Sequence, residues 1–258
     1  MPTTAFARHP TTTPTDSHAP PALAWLALEP MRAAAEFFAA QLLPHPARQG
    51  DGHPVIVYPG LGANAWSTLH LRRVLDSAGF TSHDWREGFN RGPKGTVERW
   101  LAGLEDTLRE VHAEHGRTVS LVGWSLGGIY ARELAKRAPQ MVRQVVTLGT
   151  PFGAVPESTR AGSVYRILNG KGGSPSAQMQ RRLGECPPVP TTSIYSRSDG
   201  VVPWQGCVQA GCEHAENIEV NSASHLGMGA HPTVLKILVE RLAQPEGQWQ
   251  PYREADKR

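Results

Sequence analysis

The chain of 258 residues is 40% hydrophobic and carries a formal net charge of +3, which is typical of one globular α/β domain. Its lysines and arginines are scattered, so the sequence gives no sign of a nucleic-acid partner. The 3 cysteines and 11 histidines include no C-x-x-C pair and no His-x-x-x-His spacing, and we expect neither a metal ion nor another cofactor.

Residues 1–21 are rich in Thr and Pro and lack an apolar core, which is typical of a disordered tail and not of a secretory signal. We therefore expect a cytoplasmic protein. Residues 22–49 form an N-terminal helical segment in this prediction, but charged residues and a proline interrupt the apolar stretch and argue against a transmembrane span. An apolar helical face is expected to dock on the domain, with attachment to a membrane surface or a partner as the alternative; it comprises Met31, Ala35, Phe38 and Leu42.

Strands and helices alternate through residues 50–244, which we predict to be the main domain. The predicted strands are 55–58, 80–85, 118–122, 142–148, 191–195 and 217–220, and the predicted helices are 67–77, 96–115, 129–137 and 233–242. Such alternation predicts a mostly parallel twisted sheet with helices on both faces and functional groups at the carboxyl ends of the strands.

Two segments interrupt or follow this alternation. Residues 151–190 are poor in long apolar periodicity and are predicted to be a small lid-like insertion, in which Val164, Ile167 and Leu168 form one face of a short helix. Residues 245–258 are polar and are predicted to be a loose C-terminal tail.

A serine stands in a glycine-rich turn between a predicted strand and a predicted helix, in the sequence Gly123-Trp124-Ser125-Leu126-Gly127-Gly128. A sharp strand-to-helix turn holds a serine in a strained conformation that exposes its hydroxyl, and glycines on either side avoid collisions with neighbouring elements. The alternative is a tight turn with an incidental serine, which predicts no partner residues further along the chain.

A serine hydroxyl needs an imidazole to take its proton and an acid to orient that imidazole. Asp199 lies in a tight turn after the strand 191–195, and His225 lies in a loop after the strand that ends at Val220. His214 and His231 are rival bases in more surface-like settings, while Glu157 and Asp106 are rival acids that lack the strand-then-turn setting.

An oxyanion formed at this serine requires two N–H donors. The backbone amide of Leu126 directly follows the serine and is the first candidate. The second is the amide of Leu61 in a glycine-rich loop after the first strand, with Gly62 as the fallback. This loop is a simple turn in the alternative interpretation.

These motifs resemble the lipase and carboxylesterase branch of the α/β-hydrolase superfamily. The resemblance covers about residues 50–242 and is carried by residues 53–61, 123–128, 145–151, 196–203 and 224–227. It implies the α/β-hydrolase fold, the nucleophile-acid-base order Ser125, Asp199 and His225, and a small-molecule ester or lipid substrate. The chain departs from many members at Pro59, where they have histidine, and in its bulky Trp124.

We expect a serine esterase or lipase that acts through an acyl-enzyme. A thioesterase or acyltransferase with the same residues is the alternative, and a non-catalytic binding protein on this scaffold is a third hypothesis. Apolar residues near the strand ends are candidates for substrate binding: Trp66, Trp124, Phe152, Val201 and Val202.

The cysteines leave two interpretations open. Cys207 and Cys212 are close enough in sequence for a local disulfide, which would leave Cys186 free. Three reduced thiols are what we expect of a cytosolic enzyme.

Overall fold

A computed structural model describes residues 21–42, 47, 49–153 and 177–253. The strands in this part of the chain are β1 Pro54–Tyr58, β2 Thr81–Asp84, β3 Val119–Trp124, β4 Val142–Leu148, β5 Thr191–Tyr195 and β6 Ala215–Glu219. These six strands form a single parallel sheet in the order β2-β1-β3-β4-β5-β6. The predicted fold class is confirmed.

Helices cover both faces of the sheet, because alternate strand residues point to opposite sides. Ile56 and Tyr58 pack into one hydrophobic cluster and Val55 and Val57 into another. The described helices are α1 Leu23–Leu42, α2 Leu69–Ser77, α3 Val97–His115, α4 Leu126–Arg137, α5 Ala177–Gly184 and α6 Pro232–Leu242. The first cluster includes residues of α3 and α4, and the second includes residues of α2 and α6.

Each strand and helix predicted in residues 55–148 and 191–242 overlaps an observed one. Helix α5 was not predicted. The short helix expected around Val164, Ile167 and Leu168 lies outside the described residues, as does most of the expected lid.

Helix α1 lies where a helix was predicted, but it docks through the opposite face. Met31, Phe38 and Leu42 are 65%, 66% and 85% exposed, whereas Glu29 and Glu36 are only 1% and 8% exposed. The expectation that the apolar face docks on the domain is therefore wrong. Buried carboxylates are tolerated only where donors surround them, and the loops below α1 supply such donors. Among the described helices, none is both long and apolar enough to cross a bilayer.

The structure pairs Cys186 with Cys212 in a disulfide and leaves Cys207 free and buried. Both cysteine expectations are thus wrong: the thiols are not all reduced, and Cys207 is not the partner of Cys212. The paired cysteines come together because the N–H of Thr191, at the start of β5, donates to the carbonyl of His214 at 2.9 Å. Burial, with the Asp199 charge nearby, raises the pKa of the Cys207 thiol well above its ordinary value.

Residues 245–253, part of the segment expected to be loose, run back along the domain. The Thr118 hydroxyl donates to Glu246 at 2.6 Å, and the guanidinium of Arg241 lies over the ring of Tyr252. These contacts tie the segment to the residue that precedes β3 and to α6.

Candidate active site

Ser125 lies between the end of β3 and the start of α4, at the carboxyl edge of the sheet. Its backbone has φ 53° and ψ −121°, a left-handed conformation that is costly for a residue with a side chain. The neighbouring glycines are required by close packing: a Cβ on Gly123 would collide with Gly128, and one on Gly127 would collide with the carbonyl of Tyr58. The turn therefore presents the hydroxyl in the way the sequence predicts for a nucleophile elbow.

Ser125, His225 and Asp199 form a continuous hydrogen-bonded chain. His225 Nε2 lies 3.0 Å from Ser125 Oγ, and His225 Nδ1 lies 2.7 Å from Asp199 Oδ2. All three side chains are buried. A carboxylate at Nδ1 fixes the proton of the neutral ring there, so that Nε2 is free to accept the serine proton.

The Asp199 carboxylate is oriented by its own turn. Its Oδ1 accepts the N–H groups of Val201 and Val202 at 2.8 and 2.7 Å, which leaves Oδ2 for the histidine. Two backbone donors on one oxygen prevent the carboxylate from rotating away. The same turn thus explains why an acid directly after β5 can serve the distant His225.

The electrostatic environment of His225 favours the imidazolium cation. Burial opposes charge on the ring, but the Asp199 charge and hydrogen bond, with a further contribution from Glu29, raise the pKa of His225 above its ordinary value of 6.5. A base whose cation is stabilised in this way is better able to hold a proton taken from Ser125.

The main chain of His225 is held from two sides. Its N–H donates to Glu29 Oε1 at 3.0 Å, and its carbonyl accepts from Trp124 Nε1 at 3.0 Å. Trp124 thus links the serine turn to the histidine loop, a contact that the sequence, which predicts only a pocket residue at Trp124, does not reveal. Glu29 was missed altogether, because no local motif connects α1 to a loop far along the chain.

The loop after β1 lies beside the serine. A Cβ on Gly60 would lie 3.3 Å from Ser125 Cβ, a tight contact that the absence of a side chain at Gly60 avoids. The buried Asn90 holds the loop. Its side-chain Nδ2 donates to the carbonyl of Pro59, and its backbone carbonyl accepts from the N–H of Gly62, both at 2.8 Å. The fallback oxyanion donor, Gly62, is therefore already engaged. Asn90 was also missed by sequence reasoning.

The two preferred oxyanion donors differ from Gly62 in this respect. Within the described residues, neither the N–H of Leu61 nor that of Leu126 has an acceptor. Leu61 follows Gly60, which lies close to Ser125, and Leu126 follows Ser125 itself. Their role as oxyanion donors stays a prediction.

The candidate substrate-binding residues occupy different environments. Trp66 is 79% exposed, and Trp124 and Val201 are half-buried. Phe152 and Val202 are buried, and the guanidinium of Arg132 lies 3.7 Å from the centre of the Phe152 ring. Their contact with a substrate stays a prediction.

A second Ser-His-Asp group lies at the opposite, amino-terminal edge of the sheet. His53 Nε2 is 2.8 Å from Ser120 Oγ, and His53 Nδ1 is 2.5 Å from Asp51 Oδ1. Ser120 lies within β3 and is fully buried, so that no substrate carbonyl can reach it. Burial lowers the pKa of His53 to about 4. Ser120 is not on a strained turn that would expose its hydroxyl. The same three residue types therefore make a structural contact here.

The described residues include two groups with metal-ligand side chains. In one, Cys186 and Cys212 are joined in a disulfide beside His214, so their sulfurs are not thiolates. The other group comprises His83, Glu114 and His115. His83 Nε2 lies 2.9 Å from His115 Nε2, which is a hydrogen-bond distance. Sequence spacing could not reveal a pair split between β2 and α3. The absence of a metal stays a prediction.

Known proteins similar to this chain include several hydrolases. A model of the alpha/beta hydrolase family matches residues 55–236. A triacylglycerol lipase of Pseudarthrobacter phenanthrenivorans is 40% identical over 78 residues, which are 30% of this chain and 21% of that protein. A 2-hydroxy-6-oxo-2,4-heptadienoate hydrolase of Pseudomonas putida is 33% identical over 115 residues, which are 39% of this chain and 38% of that protein. The chain thus spans less than half the length of these relatives.

Solved structures show the same fold at low sequence identity. Aspergillus fumigatus lipase B superposes with a TM-score of 0.59 at 17% identity, over 80% of this chain and 56% of that one. A Paleococcus ferrophilus monoacylglycerol lipase gives 0.54 at 17% identity, over 76% and 96% of the two chains. With a family model that matches more than half of its residues and a sheet of the same architecture, the chain belongs to the alpha/beta hydrolase family.

Proposed function

We propose that the protein is a serine hydrolase that cleaves carboxylic esters through an acyl-enzyme intermediate. The observation that carries this proposal is the buried chain of hydrogen bonds from Ser125 through His225 to Asp199 on a strained turn. Lipases among the similar proteins favour an ester or lipid substrate.

In the acylation step, Ser125 Oγ attacks the carbonyl carbon of the ester while His225 Nε2 takes the hydroxyl proton. Asp199 keeps the ring oriented and stabilises the imidazolium that forms. The tetrahedral intermediate then collapses, the bond to the alcohol breaks, and His225 returns its proton to the leaving alcohol.

Deacylation repeats these steps with water. His225 takes a proton from the water, the hydroxide attacks the acyl-serine carbonyl, and the carboxylic acid leaves as Ser125 Oγ recovers the proton. In both steps the negative oxygen lies between the N–H groups of Leu61 and Leu126, which supply the stabilisation that water would otherwise provide. Asn90 and the β1 loop fix one of these donors before the substrate arrives.

The test is the substitution Ser125→Ala, with Ser120→Ala as a matched control. Ser120 has an equivalent hydrogen bond to a histidine but lies buried at the other edge of the sheet. We expect Ser125→Ala to abolish hydrolysis of a p-nitrophenyl acyl ester and labelling by a fluorophosphonate, and Ser120→Ala to retain both. Undiminished hydrolysis or labelling in Ser125→Ala would exclude the proposed nucleophile.

A substrate series distinguishes the neighbouring activities. Matched oxygen esters and thioesters with short and long acyl chains, with and without an added alcohol acceptor, are compared by kcat/KM. A preference for oxygen esters and for water supports the proposal, whereas a preference for thioesters or for the added alcohol indicates a thioesterase or an acyltransferase.

A further inference from the structure

Helix α1 lies directly on the loops that carry Asp199 and His225. The glycine after the acid, Gly200, has so little space that a Cβ would lie 2.6 Å from the backbone of Trp25. Gly227, two residues after the histidine, would bring a Cβ within 2.8 Å of Ala33 Cα. The family match begins at residue 55, so α1 lies outside it. Both glycines therefore fit a helix that is additional to the matched domain.

The carboxylate of Glu29 bonds to both loops at once. Its Oε1 accepts the N–H of Gly200 at 2.8 Å and the N–H of His225 at 3.0 Å, and its Oε2 accepts the N–H of Leu226 at 2.8 Å. The side chain is 1% exposed. A carboxylate is acceptor-only and has enough lone pairs for three donors, which no neutral side chain of this length provides.

We propose that Glu29 is a positioning residue, which clamps the acid loop to the histidine loop and sets the orientation of His225 for proton transfer. This inference rests on the proposed serine-hydrolase function. The acid and the histidine are supplied by the hydrolase domain, and the bridge between their main chains is supplied by α1.

Two neighbours of Glu29 on α1 reinforce the clamp. Glu36 accepts the N–H and the hydroxyl of Ser224, the residue before the histidine, at 2.8 and 2.7 Å. Arg32 donates to the carbonyl of Ser198, just before the acid, at 2.8 Å and to the carbonyl of Ser222 at 2.9 Å. The face of α1 that docks on the domain is thus polar because its partners are backbone groups of the two loops.

Glu29 also acts on His225 through its charge. The groups that act on the ring come from three elements: Asp199 from the loop after β5, Ser125 from the serine turn and Glu29 from α1. The Arg32 guanidinium lies 3.6 Å from the Glu29 carboxylate and offsets part of its negative charge. Glu36 interacts electrostatically with Arg32 and Glu29, and the buried Cys207 interacts with Asp199. Loss of the Glu29 charge lowers the pKa of His225, because one of the groups that stabilise the imidazolium is removed.

The experiment compares Glu29→Gln with Met31→Gln in the full-length protein. The carboxamide of glutamine at position 29 carries no charge. It turns its N–H₂ group towards at least one of the three N–H donors, which belong to Gly200, His225 and Leu226. Met31 is on the outer face of the same helix, so its substitution tests the introduction of glutamine alone. Rates are measured against pH with a p-nitrophenyl ester and expressed per active site titrated with a fluorophosphonate.

For Glu29→Gln we expect kcat to fall ~10- to 100-fold with little change in KM, since misplacement of a catalytic group by about 1 Å costs up to ~100-fold. The acid limb of kcat/KM moves to lower pH, and Met31→Gln behaves as the wild type. Unchanged kcat and an unmoved limb would overturn the proposal. So would a loss that disappears on active-site titration, which indicates only a smaller folded fraction.

A second measurement does not need turnover. The imidazole of His225 is titrated by ¹⁵N NMR in the wild type, Glu29→Gln and Glu29→Asp. We expect a lower pKa in Glu29→Gln and a value nearer to the wild type in Glu29→Asp, which keeps the charge. If the wild type neither hydrolyses esters nor reacts with the fluorophosphonate, the proposed function fails; equal imidazole titrations in all three proteins would overturn the role of Glu29.

Discussion

The buried His53 makes the protein sensitive to acid in a defined pH range. Its ring bonds to Asp51 and Ser120, and burial lowers its pKa from 6.5 to about 4. In the unfolded chain the ring titrates normally. Between pH 6.5 and about 4, the unfolded state therefore binds a proton that the native state does not.

The free energy of unfolding must fall as the pH falls through this range, because protons favour the state that binds them. Because the pKa of His53 falls from 6.5 in the unfolded chain to about 4 in the native state, the loss in the free energy of unfolding reaches ~3 kcal/mol near pH 4. The pKa of Asp51 is held below its usual range despite burial, by hydrogen bonds from Arg143 and His53, so this carboxylate stays ionised in the same window. His225 has a raised pKa and contributes with the opposite sign at higher pH.

Urea unfolding of the wild type and His53→Gln at several pH values between 7.5 and 4.5 measures the effect. Glutamine does not titrate in this range, whereas His83 and His231, whose pKa values are also lowered, remain in both proteins. We expect the wild type to lose ~2 to 3 kcal/mol more than the variant over this interval. Parallel stability curves would refute the reasoning.

Two further substitutions test the β1 loop and the disulfide. Asn90→Ala removes the donor to Pro59 and should lower kcat for ester hydrolysis ~10-fold or more, because the loop that carries Leu61, the proposed oxyanion donor, is no longer held in place; an unchanged kcat would contradict this role. Replacing Cys186 and Cys212 by serine opens a loop with a sequence separation of 26, and we expect a loss of ~3 kcal/mol in calorimetric stability. Dithiothreitol should destabilise only the wild type; an equal effect on both proteins would contradict the pairing.

The sequence was sufficient for those parts of the site that depend on local structure. The apolar runs before Ser125, Asp199 and His225 predict parallel strands, and parallel strands gather their carboxyl ends at one edge. This rule brings together side chains that are 26 to 100 residues apart, as the hydrogen bonds of His225 show. No pairing information was needed, because the direction of the strands alone determines which edge the loops share.

The remaining parts of the site depend on contacts that no local pattern encodes. Asn90 lies in a glycine-rich loop, and only the fold brings it to the carbonyl of Pro59. The pairing of Cys186 with Cys212 depends on the register of β5 and β6. For α1, the apolar periodicity predicts the wrong docking face. The apolar side chains of the predicted face are exposed, and Glu29 and Glu36 are buried against the domain.

The comparison of the two Ser-His-Asp groups shows why residue types alone do not define a site. Both have a histidine between a serine and an acid at hydrogen-bond distance. The pKa of His53 is lowered and that of His225 is raised, because only His225 lies against a carboxylate whose charge outweighs its burial. Only Ser125 lies on a strained turn beside unengaged N–H groups.

The glycines that follow the acid and the histidine are explained by the position of α1. Asp199-Gly200 and His225-Leu226-Gly227 are typical loop sequences, and hydrogen bonding among the acid, the base and the serine gives no reason for either glycine. Their positions are explained by α1, whose backbone leaves no room for a Cβ at either residue. Alanine at Gly227 would meet Glu36 and Ala33 and push the helix away from the histidine loop. The hydrolase loops are therefore shaped to receive α1, which is consistent with a helix that helps to set the geometry of the site.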